Sequence, residues 1–485
     1  MLAAAYVIAS RLNVAVTAPL WLDETWSAMI ATRPEWTGFW REAWLDCNPP
    51  LYYLFLTGWV SIFGDSNLML RLPSFLFVFL AAILPVAWRP KGLNQTAAWT
   101  WAGLILLWPP GTLMMLDARS YALMLLLSTA SCLVFARLLD QLSHKLAVAW
   151  VALGTMMFLT HYFSAVLLAA QGLVLIWRYR AMLFRIWPAA VIAVPGLGWF
   201  AIHLPRLEAY ARKDVAWQQL TNVESSLGYL LYIVGALNLV FFGLILFIVI
   251  CAGFDRKATR PSGAVIIAPA DRDLLLVAAT AVIGFGLAIC IGLLQASLIN
   301  RYLVPLVPPT LLGFTLILQR SARQEIAGIL LTLAFLLPGI NPKTIEKFAE
   351  MRGMYGYERG SDFVATYQPD KMLFVWDHPT AKILDQRSLV RIGGYFQHRA
   401  SVNIPVQALV IPDSADANLV LRTAAKGKST GIIWLYNTAD RTSARNHPPS
   451  FENDPAWICR DRGLVAGKMP SLGVVACVKM EKAID

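Results

Sequence analysis

Long apolar runs constrain this chain more than any other feature of its sequence. A helix needs about 20 apolar residues to cross a bilayer, and we count about eleven runs near that length. They lie at 2–20, 70–88, 94–115, 120–138, 146–161, 162–177, 185–203, 227–252, 273–293, 302–319 and 324–340. Only 15% of the 485 residues are charged, and the mean hydropathy is +0.56. The sequence therefore predicts a polytopic α-helical membrane protein.

The apolar pattern ends near Pro342. Residues 343–485 carry frequent charges and short β-type runs, which read MLFVWD, PVQALVI and GIIWLY. This change predicts a transmembrane domain over 1–342, followed by a soluble α/β or α+β domain over 343–485. Cys459 and Cys477 are the only cysteines of this tail, and the sequence leaves open whether they form a disulfide.

The basic residues predict an orientation. We interpret 49–64 as a short interfacial helix and place a break at His161 inside the long run 146–177. Thirteen Lys and Arg residues then fall in the loops of one side and eight in the loops of the other. The positive-inside rule puts the richer set in the cytoplasm. We therefore expect a multi-pass protein of the plasma (inner) membrane, with its active site and C-terminal domain on the periplasmic or external face.

In this layout the side chains that could act in acid–base chemistry or bind a phosphate lie on the outer face, although they are dispersed along the chain. They occur in the segments WLDETW, WLDCNPPLYY, LDARSY, THYF and INRYL. A carboxylate at the water edge of an apolar wall suits a general base. Arg119, His161 and Arg301 suit a phosphate. With no nucleotide-binding motif in the sequence, this set favours glycosyl transfer from a sugar donor carried on a lipid phosphate.

Five longer segments carry a resemblance to a known family. They read, in chain order, LWLDETWSAMIATR, NPPLYYLFLTGWVSIFGDSNLMLRLPS, DARSYALMLLLS, THYFSAVLLAAQ and SLINRYLVPLVPP. Together they resemble the bacterial family 39-like GT-C glycosyltransferases, which include protein O-mannosyltransferase relatives and the enzymes that add aminoarabinose or galacturonic acid to lipid A. The resemblance covers roughly residues 5–340. It implies a GT-C fold and an inverting hexosyl- or pentosyltransferase that uses a polyprenyl-phosphate sugar.

The resemblance also assigns roles to individual residues. Asp23 and Glu24 match the family's acidic pair, which implies a catalytic base and an acceptor site. The matches to the family's donor-phosphate region are Arg119, His161, Tyr162, Arg301 and Tyr302. Further candidates on the acceptor side or in support are Asp46, Asn48, Tyr52, Asp117 and Tyr121. Many relatives have His where this chain has Asn48, and an amide cannot titrate, so position 48 receives no proton-transfer role.

Each of these residues also has a purely structural interpretation. Asp23 and Glu24 suit the first turn of a helix, where acidic side chains are favourable. Arg119 and Arg301 suit snorkelling to lipid headgroups, and His161 suits a hydrogen bond between helices. The tyrosines suit an aromatic belt at the membrane boundary, and Asp46 suits either a second acid or a solvated loop.

Two other functions compete with a polyprenyl-phosphate transferase. A glycan ligase or oligosaccharyltransferase with a diphosphate-linked donor often uses a divalent metal, for which Asp23, Asp46 and Asp117 would be the ligands. No spacing demands a metal, so the sequence predicts neither a metal nor a cofactor. A secondary transporter would show an internal repeat and polar groups near the bilayer midplane, and we find neither pattern.

The sequence also predicts the classes of partner. They are a polyprenyl-phosphate-linked sugar, a lipid, glycan or protein acceptor, and membrane lipids. Nothing in the sequence resembles a nucleic-acid recognition module. The sugar, the acceptor, the role of the C-terminal domain and the oligomeric state are left open by the sequence.

Overall fold

The computed structural model describes residues 2–212, 219–236, 238–254, 269–341, 343, 346, 356–377, 384–412, 416–426, 429–437, 451, 454–462 and 472–479. These residues form two compact units. The described residues of the helical unit fall within Met1–Ala15, Pro34–Ala209 and Gln218–Ile345. Those of the second unit, the sheet unit, fall within Val16–Arg33, Tyr210–Trp217 and Glu346–Asp485. Arg256, Lys257 and Arg260, three of the basic residues predicted on the inner side, lie outside the described residues.

Helices dominate the first part of the chain. In chain order they are α1 (Leu2–Thr17), α2 (Leu22–Ala31), α3 (Trp36–Leu45), α4 (Leu51–Phe63), α5 (Asn67–Ala87), α6 (Gln95–Leu107), α7 (Pro109–Met114), α8 (Tyr121–Asp140), α9 (His144–Thr160), α10 (Ala165–Tyr179), α11 (Val194–Arg212), α12 (Val223–Ile233), α13 (Leu239–Phe254), α14 (Pro269–Leu294), α15 (Val307–Gln319) and α16 (Gln324–Ile340). Some of them are joined by 3₁₀ helices, of which the described residues include Tyr162–Ser164, Arg180–Arg185, Trp187–Ala193 and Asn300–Leu306.

Six helical segments of the described chain are long and apolar enough to cross a membrane. They are Asn67–Ala87, Tyr121–Asp140, Tyr162–Arg185, Trp187–Ala211, Asp271–Leu294 and Asn300–Gln319. Shorter apolar helices accompany them, among them α4, α9 and α16. Helix α8 is buried along most of its length and packs against α5, α9, α14 and α15, so it forms the core of the helical unit. The predicted multi-pass helical architecture is therefore confirmed.

Two predicted apolar runs are interrupted, which corrects the expectation of one helix each. Run 94–115 divides at Trp108 because Pro109 has no backbone N–H to continue the hydrogen-bond ladder of α6. Run 227–252 divides after α12, where Gly235 adopts φ +74°. A side chain at Gly235 would also lie 2.8 Å from the Trp108 ring, so both the backbone angle and the packing require glycine there.

Two local features bear on the predicted topology. Helix α9 ends at Thr160, His161 is extended (φ −163°, ψ 129°), and α10 begins at Ala165, so the break predicted at His161 is confirmed. Helix α4 has 13 residues. At 1.5 Å per residue it is about 20 Å long, which is too short for a core of about 30 Å. Its placement at the interface remains a prediction.

The sheet unit contains five strands: β1 (Lys371–Asp377), β2 (Val406–Val410), β3 (Thr430–Asn437), β4 (Trp457–Arg462) and β5 (Leu472–Lys479). Their order is β2-β1-β3-β5-β4. The first three strands are parallel to one another, whereas β5 is antiparallel to both β3 and β4. The helices are α17 (Glu358–Ala365), α18 (Gln386–Ala400) and α19 (Ala417–Ala424). The predicted α/β character of the tail is confirmed.

The cysteine pairing left open by the sequence is also settled. Cys459 on β4 lies directly opposite Cys477 on β5 in the antiparallel register. Their sulfur atoms form a disulfide. The bridge therefore fastens the edge strand β4 to the sheet.

Alternation along the strands gives the sheet two apolar faces. On one face Leu373, Val375 and Trp434 pack in a cluster that includes Leu421 of α19. On the other face α18 approaches so closely that a Cβ atom at Gly393 would lie 2.6 Å from Val406 and 2.9 Å from the Phe374 ring. The close approach of α18 to the sheet therefore requires glycine at this position.

Adjacent glycines of α18 provide a test of this packing. We expect Gly393→Ala to destabilise the sheet unit by about 1–3 kcal/mol, the range for overpacking a well-packed core. Gly394→Ala is the matched control, because a Cβ atom there meets no atom within 4 Å and alanine is the better helix former. Hydrogen exchange of the β1 amides in the full-length protein measures the difference. Equal protection in the two variants would contradict this packing.

Candidate functional site

Segments far apart in the sequence meet around His161 in the helical unit. The imidazole is buried, and its ring centre lies 4.5 Å from that of Tyr302 and 5.8 Å from that of Tyr121. Arg301 lies over the Tyr121 ring at 5.5 Å. The positive charges of Arg119 and Arg301 both interact electrostatically with the His161 imidazole. We call these five residues the His161 cluster.

Local structure explains why these side chains meet. His161 occupies the break between α9 and the 3₁₀ helix Tyr162–Ser164, where its Nδ1 accepts a hydrogen bond from the Phe163 amide at 3.3 Å. Arg301 and Tyr302 lie in the 3₁₀ helix Asn300–Leu306, which packs against α8 and the 3₁₀ helix at 162–164. Because these helix ends are irregular, several polar side chains face one place instead of being spread around a regular helix.

The His161 cluster suits an anion. Two guanidinium groups beside one buried imidazole concentrate positive charge, and Arg presents a planar fork of N–H donors that matches phosphate oxygens. The aromatic rings of Tyr121 and Tyr302 supply an apolar wall next to that charge. A phosphate attached to a lipid chain has this combination of chemistry.

A second network surrounds Asp46, in the loop between α3 and α4. Its carboxylate accepts hydrogen bonds from the Cys47 amide at 2.9 Å, from the Asn48 side chain at 3.2 Å and from the Tyr53 hydroxyl. The positive charge of Arg119, in the His161 cluster, also interacts electrostatically with the side chains of Tyr53 and Cys47. The Asp46 loop is therefore an electrostatic neighbour of the His161 cluster.

The remaining acceptor-side candidates lie near these groups. Tyr52 is buried, with its ring 5.9 Å from that of Tyr53. The backbone carbonyl of Asp117 accepts a hydrogen bond from the Ser74 hydroxyl. Both Asp117 and Arg301 interact electrostatically with Tyr232, a half-buried tyrosine of α12. Tyr232 therefore joins the surroundings of the cluster, although no sequence pattern singled it out.

Tyr162 belongs to a different set of contacts from its neighbour His161. Its hydroxyl lies 2.6 Å from Nδ1 of His203 on α11, and its ring packs against Phe158 and Phe200. The Nε2 atom of His203 lies 3.0 Å from the Trp44 carbonyl and 2.8 Å from the Asp46 carbonyl.

His203 was missed by sequence reasoning. Since carbonyls only accept hydrogen bonds, Nε2 must carry the proton, and Nδ1 then accepts from the Tyr162 hydroxyl. Arg206, one turn further along α11, donates to the Leu45 carbonyl at 2.9 Å. His203 and Arg206 together fasten α11 to the loop that carries Asp46. The available signal was a His and an Arg three residues apart, directly after the apolar first half of α11.

The acidic pair lies in the sheet unit and not in the helical unit. Glu24 is buried in the first turn of α2, and its Oε2 atom accepts a hydrogen bond from the Trp21 amide at 3.3 Å. This contact matches the helix-start interpretation considered for the pair. Asp23 is partly exposed on the same turn.

Helix α2 is held by the sheet unit itself. The Leu20 amide donates to the Glu358 carboxylate of α17, and that carboxylate also pairs with Arg399 of α18 at 3.4 Å. Arg391 of α18 lies over the Trp26 ring of α2 at 5.1 Å. The segment carrying Asp23 is therefore positioned by contacts with the C-terminal domain.

Comparisons of this chain with known proteins bear on its fold. No known protein family's sequence profile matches it, and no curated protein sequence does. Solved structures do match it, among them two crystal structures of ArnT from Cupriavidus metallidurans, one in the apo state and one bound to undecaprenyl phosphate. The TM-score is 0.55 for both, at 14% and 13% sequence identity, and each match covers 98% of this chain and 97% of the other.

This chain has the fold of ArnT. The likeness extends over both the helical part and the C-terminal domain, because almost the whole of each chain is covered. The predicted fold class, a polytopic helical membrane protein with a C-terminal α/β domain, is therefore confirmed. At this identity the likeness establishes the fold, and residue roles have to be argued from the site.

The pKa of the Cys47 thiol provides a test of the contacts in the Asp46 loop. Burial, and next the neighbouring Asp46 carboxylate, raise the pKa of Cys47 from its ordinary value to about 12. We expect Cys47, kept as the sole free cysteine after Cys132, Cys251 and Cys290 are changed to Ser, to be alkylated slowly below pH 10. Asp46→Asn removes the negative neighbour and should lower the midpoint of the pH–rate profile, whereas Asp65→Asn should not. A midpoint near the ordinary thiol value of about 8.5, or one unaffected by Asp46→Asn, would contradict the described network.

Proposed function

We propose that this protein is a membrane glycosyltransferase that moves one sugar from a polyprenyl-phosphate donor to an acceptor on the periplasmic or external face of the inner membrane. The observation that carries the proposal is the meeting of Arg119, Arg301 and His161 within a membrane-protein fold. The likeness in fold to ArnT supports it, since one of the ArnT structures is bound to undecaprenyl phosphate.

The His161 cluster is the proposed donor-phosphate site. Arg119 and Arg301 bind the phosphate oxygens through charge-assisted hydrogen bonds, and these strengthen as the sugar departs and charge develops on the phosphate. Tyr121 and Tyr302 line the site. Tyr162 supports this site indirectly, because its hydroxyl bonds to His203 and through it to the Asp46 loop.

Asp23 is the proposed general base. It removes the proton of the acceptor hydroxyl or amine while the acceptor attacks the anomeric carbon from the face opposite the phosphate, so the configuration at that carbon inverts. Asp23 is partly exposed on α2, as a base that meets an acceptor would be. We assign Glu24 a supporting role, because it is buried and bonded to the Trp21 amide.

The C-terminal domain is proposed to position the base. Its contacts with α2, through Glu358 and Arg391, fix the helix that carries Asp23. The disulfide between Cys459 and Cys477 supports an oxidising compartment for this domain, which agrees with a periplasmic location. The proposed domain boundary lies near residue 342. Helix α2 precedes this boundary in the chain but packs with the C-terminal domain.

A test of the donor site uses undecaprenyl phosphate as the probe. Arg301→Ala should weaken its binding to the purified protein by about one to two orders of magnitude, since charge-assisted hydrogen bonds contribute about 1.5–3 kcal/mol each. Arg301→Lys keeps the charge but not the fork and should give a smaller loss. Arg323→Ala, at an exposed position, is the control. Unchanged affinity in Arg301→Ala would move the phosphate site elsewhere.

A test of the base uses the cellular donor pool. Asp23→Asn should slow transfer by about 10²–10⁴-fold, the usual contribution of general base catalysis, so polyprenyl-phosphate monosaccharide should accumulate in the membranes. Glu35→Gln, an exposed carboxylate change in the neighbouring loop, is the matched control. Mass spectrometry of extracted polyprenyl phosphates measures the pool. Wild-type donor levels in Asp23→Asn cells, with normal protein expression, would remove Asp23 from the mechanism.

A glycan ligase with a diphosphate-linked donor remains the nearest alternative. It would leave polyprenyl diphosphate as the carrier product, whereas the proposed reaction leaves the monophosphate. The same extracts distinguish the two, because the two carriers differ by the mass of one phosphate group.

A further inference from the structure

A charged cavity lies in the helical unit, formed by segments outside the His161 cluster. Its volume is about 270 Å³, and its charged lining residues are Arg89, Lys91, Arg137, Asp140 and Asp273. They come from the connection between α5 and α6, from the end of α8 and from the first turns of α14. The positive-inside pattern predicts all of these segments at the cytoplasmic side.

The cations of this cavity are held in place by their neighbours. Lys91 forms an ion pair with Asp140 at 2.8 Å. The Arg137 guanidinium lies over the Trp88 ring at 3.7 Å, and Arg89 donates to the Leu93 carbonyl at 3.2 Å. Trp88 is about one-third exposed. A tryptophan at the end of a membrane helix, stacked with an arginine, is typical of the headgroup level of a bilayer.

One carboxylate oxygen of a residue in the cavity lining has no hydrogen-bond donor in the part of the chain that the structure describes. Asp273 is only 5% exposed, and among the described residues its Oδ1 atom has no hydrogen-bond partner. The positive charges of Arg178 and Arg272 interact electrostatically with this carboxylate. A buried carboxylate oxygen without a donor is costly, and a ligand with an N–H group in the cavity would remove that cost.

We propose that this cavity binds the headgroup of a phospholipid that carries a primary amine, as in phosphatidylethanolamine. The phosphate lies against Arg89 and Arg137, and the ammonium group donates to Asp273. A choline headgroup has no N–H to donate, and a glycerol headgroup has hydroxyl donors but brings no positive charge to the two carboxylates. Leu146 and Leu274 add apolar side chains to the lining, which suits the apolar part of a lipid beside its headgroup.

The test compares lipids on the full-length protein by native mass spectrometry. Phosphatidylethanolamine, phosphatidylcholine and phosphatidylglycerol with identical acyl chains are offered at equal concentration. We expect about tenfold greater retention of the ethanolamine lipid than of the choline lipid, since one hydrogen bond to a charged group accounts for a factor of that size. Soluble phosphoethanolamine should not displace the lipid at equal concentration.

Variants then assign the preference to the cavity. Asp273→Asn should remove most of the discrimination between ethanolamine and choline lipids. Asp271→Asn is the matched control, because Asp271 also lies near the start of α14 but pairs with Arg320 at 4.0 Å instead of lining the cavity. Arg137→Gln should lower the retention of both lipids together, since both carry the phosphate.

Three results would overturn the proposal. Equal retention of ethanolamine and choline lipids by the wild-type protein would exclude recognition of the amine, and this result does not depend on the folding of any variant. A preference for phosphatidylglycerol would assign the cavity to anionic lipids. Displacement by soluble phosphoethanolamine would assign it to a water-soluble ligand.

Discussion

The cost of burying charge away from water governs the structure of the helical unit. An ionised side chain inside a membrane protein has to be paired or hydrogen bonded, because neither lipid nor the packed interior solvates it. Arg71 of α5, fully buried, donates to the Ala15 carbonyl at 3.0 Å, and Arg11 of α1, also buried, donates to the Gly339 carbonyl at 2.8 Å. These two arginines use carbonyls near helix ends, where backbone acceptors are left unused by the helix itself. Buried cations thereby tie α1 to α5 and to α16.

The cost of burying charge also bears on the function of the His161 cluster. Arg119 and Arg301 are brought together by irregular segments at helix ends, where breaks such as that at His161 redirect the chain. In the proposed mechanism, the donor phosphate matches the positive charge gathered there when the lipid carrier binds. The network of His203, Tyr162 and Asp46 then connects this region to the first long loop. The acidic helix α2 has a separate support, since Glu358 and Arg391 of the sheet unit hold it.

Much of this architecture can be predicted from the sequence because local sequence patterns determine it. The apolar runs predict the membrane helices, and the β-type runs MLFVWD, PVQALVI and GIIWLY correspond to β1, β2 and β3. Other features depend on contacts between distant residues. Gly235 requires glycine because of Trp108, and α2 groups with the tail because Leu20 bonds to Glu358. His203 follows an apolar stretch of α11, and only its partners distinguish it from an ordinary core histidine. His161 and Tyr162 are adjacent in sequence but face different networks, since a 3₁₀ turn directs neighbouring side chains to different sides.

Transfer of a sugar from a lipid phosphate to a cell-envelope acceptor would change the mass of that acceptor by one sugar residue. The decisive measurement is mass spectrometry of envelope glycolipids and glycans from wild-type cells and from cells lacking the protein, with complementation by the intact chain. We expect a component in wild-type and complemented cells that is heavier by one sugar residue and absent from the deletion strain. Identical envelope components in all three, together with an unchanged pool of polyprenyl-phosphate sugar, would contradict the proposed transferase function.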